Sequence, residues 1–435
     1  MDKRSGVKNF LKSYGMDYET IDMEQSCRTF MEEMERGLEG QNSSLKMLPT
    51  YITMDGEIPL EEPVIVMDAG GTNFRMAVIR FNKDKKPVME DYRLYPMPGT
   101  RGEIPKEQFF TTIAGYIEPL LNKSRKIGFC FSYPAEMLPN KDGRLLQLSK
   151  EVRVRDLIGE VIGENLLKTA KIMGCNIGDK KIVLLNDTVA TLLGGRAAYP
   201  DRVFESYIGF ILGTGTNTCY TEKNCNIKKA PDLLCRDGCT IVNIESGGYD
   251  KIPQGLIDKE FDNETANPGA YKFEKMVAGK YLGGLLLKVI KKAAEDGLFS
   301  SEFTRRINSA VNIDTKHINE FLYYPYSENV LSKCCSEEED YLTLFYIIDA
   351  VMERAAKLAA INLSSIILKT GKGKNPCKPV CITAEGTTFY KFKMFKSKLE
   401  YYIKIFLNDN KQAYCEFVKA ENATLVGAAI AALMS

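Results

Sequence analysis

The chain places an aspartate and two glycines where its sequence is otherwise apolar. Val64 to Arg80 reads V-I-V-M-D-A-G-G-T-N-F-R-M-A-V-I-R. An apolar run ends in Asp68, passes Gly70, Gly71, Thr72 and Asn73, and turns apolar again. That order predicts a buried strand, a tight turn and a return strand. Paired glycines let a backbone approach a ligand closely and turn its N–H groups toward an anion. Asp68, at the strand end, suits a hydrated Mg²⁺ beside phosphates. A plain glycine hairpin would use the same residues. The pattern recurs in Y-I-G-F-I-L-G-T-G-T-N-T-C-Y-T-E, Tyr207 to Glu222, where Gly215-Thr216-Asn217 repeats Gly71-Thr72-Asn73. The spacing is too long for a solenoid and predicts two similar half-molecules facing each other. Two phosphate-cradling hairpins on opposite walls of a cleft would clamp a nucleoside triphosphate.

Between the repeats, K-I-V-L-L-N-D-T-V-A-T-L-L-G-G (Lys181 to Gly195) runs a buried strand into a helix with Val189, Leu192 and Leu193 on its apolar face. Asp187 at that junction is either an N-cap or a general base for an incoming hydroxyl. The sole histidine, His317, lies in a polar segment far from the glycine turns, where a surface position is expected.

These residues need a scaffold, and the rest of the chain describes one. Its 435 residues suffice for two domains with their own cores. The 58 basic and 57 acidic residues balance, so no nucleic-acid or membrane partner is implied. No run approaches the ~20 apolar residues of a membrane helix, and the N-terminus lacks an apolar signal core, so a cytoplasmic location is expected. Twelve cysteines in so long a chain suggest reduced thiols. Cys219, Cys225, Cys235 and Cys239 lack the two close pairs of common zinc sites. Residues 1–60 read as helix-rich, with Phe30, Met31, Met34 and Leu38 at helical spacing. Strands and helices alternate from Val64 to Asp187 and again from Tyr207 to Thr383. Glu274 to Glu295 reads as one long amphipathic segment with Met276, Tyr281, Leu285 and Val289 toward the core. Residues 371–376 form a turn before a strand at Val380 to Thr383.

Several segments, in order, resemble the hexokinase family in its single-unit length. They are M-E-E-M-E-R-G-L (31–38), S-L-K-M-L-P-T-Y-I (44–52), D-A-G-G-T-N-F-R (68–75), G-F-C-F-S-Y-P (128–134), L-N-D-T-V-A-T-L (185–192), G-T-G-T-N-T-C-Y-T-E (213–222) and N-P-G-A-Y-K-F-E-K-M-V-A-G-K-Y-L-G (267–283). The resemblance implies an α/β actin-like ATPase (ribonuclease H-like) fold, two domains astride a cleft. The small domain would take 64–190 plus 422–435, and the large one 1–63 plus 191–421. It implies ATP-dependent phosphorylation of the 6-hydroxyl of glucose or a related hexose. Asp187 would accept the hydroxyl proton, with Lys150 countering negative charge. Ser132, Ser149, Lys150, Asn186, Asn217, Glu245 and Glu274 would hold the sugar. Asp68, Gly70, Gly71, Thr72, Asn73 and Arg75 would attend the phosphates, facing Thr214 and Gly215, while Gly386 and Thr387 would border the adenosine. Mg²⁺ would arrive with ATP, without a direct protein ligand, through water to Asp68. Hexose and ATP would be the partners of a monomer or homodimer.

The chain also departs from the family pattern. Leu148-Ser149-Lys150 stands where Thr-Lys is usual, Glu245-Ser246-Gly247 where Glu-Trp-Gly is usual, and the chain has no tryptophan. Glu385-Gly386-Thr387-Thr388 replaces Asp-Gly-Ser, and Ala423-Thr424-Leu425-Val426-Gly427 replaces Ser-Gly-Lys-Gly before a helix at Ala428 to Leu433. Ser246 leaves open a kinase for another hexose or an amino sugar. A hexose-binding sensor or scaffold without turnover is a further alternative. A filament-forming actin-like ATPase would not need Glu245 and Glu274.

Overall fold

The computed structural model describes residues 2–148, 152–310 and 312–435. Its main strands are β1 (Leu48–Pro49), β2 (Val64–Ala69), β3 (Asn73–Phe81), β4 (Pro87–Pro96), β5 (Lys126–Phe131), β6 (Lys181–Leu185), β7 (Ser206–Leu212), β8 (Thr216–Lys223), β9 (Cys239–Asn243), β10 (Val380–Glu385) and β11 (Cys415–Val418). They form two sheets, ordered β6-β5-β2-β3-β4 and β1-β9-β8-β7-β10-β11.

Both sheets are built to one plan, as the repeated turn predicts. An antiparallel meander, β2-β3-β4 or β7-β8-β9, is extended on the side of its first strand by two parallel strands. Every residue of β2 is buried, as a strand covered on both faces must be, which is why its sequence is apolar without alternation. Strand β4 closes one edge, and Glu90, Asp91 and Arg93 along it discourage further pairing.

Three large apolar cores follow among the described residues. One joins Ile65, Phe74, Phe129 and Leu184 beneath the first sheet. A second packs Phe210 and Ile382 with the helices Met23–Leu38, Gly279–Glu295 and Glu338–Thr370. In the first of those helices Phe30, Met34 and Leu38 are buried as the spacing predicts, while Met31 is only partly covered. The third core joins the sheets through the helices Asp187–Ala198 and Ala423–Leu433. The first of these packs on β7 and β10, the second on β2, β5 and β6. They meet backbone to backbone: a Cβ on Gly427 would stand 1.9 Å from the Ala190 carbonyl oxygen, so no larger residue fits this junction.

The segment from Glu274 to Glu295 is not one helix. It divides into Lys272–Val277 and Gly279–Glu295, with Ala278 extended between them. Gly279 N–H donates to the Gly213 carbonyl at 2.8 Å, and Lys280 N–H to that of Thr214 at 3.1 Å. The bend thus serves the second glycine turn. His317 lies at a helix start, where its N–H donates to the Asp314 capping carboxylate at 2.9 Å. Among the described residues no helix is long and apolar enough to cross a membrane.

Candidate active site

Strand β6 ends at Leu185, and the next two residues divide a task the sequence left ambiguous. Asn186 caps the helix, its Oδ1 accepting from Thr188 N–H at 2.9 Å. Asp187 is therefore not the cap. It is the first helical residue, accepts a hydrogen bond from Thr188 Oγ1 at 3.2 Å, and sits at the carboxyl end of a parallel strand, where open α/β sheets bind ligands. The positive end of the helix dipole faces its carboxylate.

Opposite, the second sheet supplies a polar array. Asn217 Nδ2 donates to Glu245 Oε1 at 3.1 Å and to Asn243 Oδ1 at 2.9 Å. Asn243 Nδ2 donates to the same Glu245 oxygen at 2.7 Å. Glu274 Oε2 accepts the Thr216 N–H at 3.0 Å. Burial pushes both carboxyl groups above the usual glutamate range. For Glu245 the amide of Asn243 and the charge of Lys46 oppose that rise, and Asp187 adds to it. For Glu274 the Thr216 N–H and Lys280 oppose it, and Glu245 adds to it. Asp187 thus acts on Glu245, and Glu245 on Glu274, so carboxylates from three different elements bear on one site. A slot lined by Phe131, Tyr133, Asn186, Asn243 and Glu245 joins the two sheets. Ser132, just beyond β5, follows Phe131 along this wall, its N–H donating to the Ala69 carbonyl at 3.2 Å. Ser149 and Lys150 lie outside the described residues.

The turns form the remaining walls. In the first, Gly70 N–H donates to the Asn73 carbonyl at 3.1 Å, and the Tyr133 hydroxyl donates to the Gly70 carbonyl at 2.8 Å. Gly71 is half-buried, whereas Thr72 and Asn73 are exposed. Asp68 is buried at 3 % exposure, ion-paired with Arg75 and accepting from Thr424 Oγ1 at 2.8 Å. The second turn, with Thr214 exposed at its tip, borders a cleft of about 350 Å³ lined by Gly213, Thr214, Lys280, Thr315, Thr387 and Lys391, among others. That volume falls in the range for small-molecule sites, ~300–1,000 Å³. Gly386 precedes Thr387 on its wall, and Thr388 Oγ1 donates to the Gly213 carbonyl at 2.9 Å.

A divalent cation fits this donor set in one way. Among the described residues no group of three or more acidic, histidine or cysteine side chains could cage a metal. Asp68 offers a hard oxygen beside the first turn, as suits an ion that keeps its waters and rides on substrate phosphates.

The structure adds residues to which no role was given from sequence. Asn243 and Thr424 contact the predicted site, and Lys280, Thr315 and Lys391 line the cleft beside the second turn. Lys280 falls inside the segment 267–283 that carried the resemblance, which is the signal that was present for it. The others come from separate segments that the fold gathers.

Comparison with known proteins agrees with this geometry. Sequence models of the hexokinase family match residues 7–197 and 207–434. Hexokinase-5 of Oryza sativa subsp. japonica is 31% identical over 431 residues, covering 92% of this chain and 84% of that protein. Hexokinase-1 of Arabidopsis thaliana is 26% identical, covering 92% and 85%. The structure of hexokinase from Schistosoma mansoni complexed with glucose superposes with a TM-score of 0.79 at 23% identity, covering 100% of this chain and 99% of that one, which establishes the two-domain actin-like ATPase fold. By these matches the chain belongs to the hexokinase family, the enzymes that phosphorylate hexoses with ATP.

Proposed function

We propose that the chain transfers the γ-phosphoryl group of Mg·ATP to the 6-hydroxyl of glucose or a closely related hexose, with Asp187 as general base. The observation that carries this reading is the division of labour at the end of β6. Asn186 satisfies the helix terminus, so the adjoining Asp187 carboxylate is left to act on a hydroxyl. It would take the proton as the hydroxyl oxygen bonds to phosphorus and the bond to the ADP oxygen breaks.

In this reading Asn186, Asn217, Glu245 and Glu274 hold the other hydroxyls, because amides and carboxylates fix hydroxyl directions. Ser132, with Ser149 and Lys150 known from sequence alone, would approach from the small lobe, 64–190 with 422–435. The larger lobe would be 1–63 with 191–421. Gly70, Gly71, Thr72, Asn73 and Arg75 would meet Thr214 and Gly215 across the phosphates, with Gly386 and Thr387 toward the adenosine. Mg²⁺ bound to ATP would spread the charge of the transferring group, with Asp68 holding its water.

Water competes with the sugar hydroxyl, so the site must stay incompetent until sugar binds; lobe closure about the two-helix junction would meet that need. The test is ADP release from Mg·ATP with a panel of hexoses, run beside Asp187→Ala. Sugar-dependent release should fall by roughly 10²–10⁴-fold in the variant, the usual worth of a general base, with hexose binding largely retained. Near-normal turnover in Asp187→Ala would show that another group is the base.

A further inference from the structure

Glu245 does not aim itself. Its backbone is left-handed, φ 59° and ψ 46°, a conformation unfavourable to a residue with a Cβ that persists where surroundings enforce it. Backbone bonds on either side do so: Ile244 N–H donates to the Thr218 carbonyl at 2.9 Å, Met47 N–H to that of Ile244 at 3.2 Å, and Gly248 N–H to that of Glu245 at 3.0 Å. The side chain is fixed separately, through a chain of amides whose direction can be deduced.

Asn217 Oδ1 accepts two backbone N–H groups, Thr218 at 2.8 Å and Ser246 at 3.3 Å. A backbone N–H can only donate, so that atom must be the oxygen, and Asn217 Nδ2 must point the other way. It donates to Asn243 Oδ1. Asn243 Nδ2 then has one orientation left and donates to Glu245 Oε1. Asn243 ends β9, paired with Leu48 on one side and Cys219 on the other, and is 5% exposed. Turned over, it would set its NH2 against that of Asn217 and its oxygen against the Glu245 carboxylate. Glu245 Oε1 thus receives two N–H groups, leaving Oε2 as an acceptor on a side chain that lines the slot.

We propose that Asn243 is a positioning residue for sugar recognition: it relays the backbone-fixed orientation of Asn217 to Glu245, so that Glu245 offers its second oxygen to substrate hydroxyls. This rests on the sugar site proposed above. The relay favours ligands that bring a hydroxyl donor to that oxygen over analogues with an ether or hydrogen there.

The relay has a pH signature. The charged or titratable groups facing Glu245 are Asp187 at the helix start, Glu274 on the Lys272–Val277 helix, Lys46 before β1, and Tyr271, whose phenol is pushed upward by burial and by both glutamates. Glu245 and Glu274 both stand above the usual range, so native sugar affinity should weaken as pH falls through their raised values, because protonation removes the acceptor. In Asn243→Asp a second carboxylate faces Glu245 Oε1 at high pH and repels it. On acidification the pair shares a proton, and the O–H of the introduced carboxyl group can then donate where the amide did.

The experiment is calorimetric titration of the full chain with glucose from about pH 8 to about pH 5.5, for the native protein, Asn243→Asp, Asn243→Leu and Glu245→Gln. At pH 8, Asn243→Asp should bind roughly thirtyfold or more weakly, as a disrupted buried network predicts. Its affinity should rise toward low pH, opposite to the native trend. Asn243→Leu should be weak throughout, with thermal unfolding and nucleotide binding confirming that it is folded. If Glu245→Gln weakens binding but Asn243→Asp follows the native curve, or is weakened equally at every pH, the relay is overturned and the sugar site stands. If Glu245→Gln binds glucose as the native chain does, the sugar-site reading itself has failed.

Discussion

The two hairpins share the tripeptide Gly-Thr-Asn and use it in opposite ways. In β2-β3, Asp68 pairs with Arg75 and Ala69 with Phe74, leaving residues 70–73 as the tip. In β7-β8, Ile211 pairs with Asn217 and Leu212 with Thr216, leaving only 213–215. The second tip is one residue shorter, so the same letters fall at different points of the ladder. Asn73, the first residue of β3, lies beyond the last β2-β3 pair and stays exposed, whereas Asn217 sits inside the β7-β8 ladder and turns onto the polar array of Asn243 and Glu245. Thr72 is exposed, while Thr216 is buried with its hydroxyl donating to the Ile211 carbonyl at 2.9 Å. In ladder terms the counterpart of Asn217 is Arg75. A motif fixes backbone chemistry, but register decides which side chain reaches a ligand.

The sharpest way to break this comparison is to truncate both asparagines. Asn217→Ala removes donors from Asn243 and Glu245 inside a buried network, so hexose affinity should fall by roughly 10–100-fold, the scale of ~1–3 kcal/mol for stranded polar groups. Asn73→Ala should change hexose affinity by no more than about twofold, as an exposed side chain away from that array should. Isothermal titration with hexose measures both. Equal losses would mean that the tripeptide, not its register, sets the role.

A second pair probes the glycines. A Cβ on Gly70 would meet the Asn73 carbonyl oxygen at 3.5 Å, an ordinary contact, whereas on Gly215 it would stand 2.7 Å from Glu274 Oε2. Gly215→Ala should displace that carboxylate and weaken hexose binding roughly tenfold, the worth of about one hydrogen bond to a charged group. Gly70→Ala should leave hexose affinity near native, whatever it does to nucleotide. Hexose titrations of the two variants compare them directly.

The sequence exposes some of this arrangement and conceals the rest for physical reasons. Strands β2, β5, β6 and β7 are visible because burial on both faces demands unbroken apolar runs, and Asp187 is visible because a carboxylate ends one of them. Asn243 is concealed inside T-I-V-N-I-E, where it reads as a strand end; its role depends on β8 lying alongside. The cleft beside the second turn joins Gly213, Lys280, Thr315 and Lys391, whose proximity is tertiary. The bend at Ala278 carries no proline, and follows from hydrogen bonds to a turn far back in the chain. The difference in tip length is a single residue, below what a pattern of apolar runs can resolve.

The smallest expected effect comes from the first hairpin. Asp68 is held by Arg75 and by Thr424 Oγ1 at 2.8 Å, while the same hydroxyl also accepts from Arg75 at 3.1 Å. Thr424 belongs to the helix Ala423–Leu433, so the contact ties the first glycine turn to the junction between the sheets. Thr424→Val keeps the shape and removes the hydroxyl. Asp68 retains Arg75, so no buried charge is stranded, unlike Glu245 when its amides are lost. The KM for ATP should rise about threefold to tenfold, the ~1 kcal/mol scale of one hydrogen bond whose acceptor stays paired, with the KM for hexose unchanged. Steady-state kinetics varying each substrate separately makes the measurement. A rise in the hexose KM instead would mean that the two walls are coupled through the C-terminal helix, and the hairpins would then have to be treated as one unit.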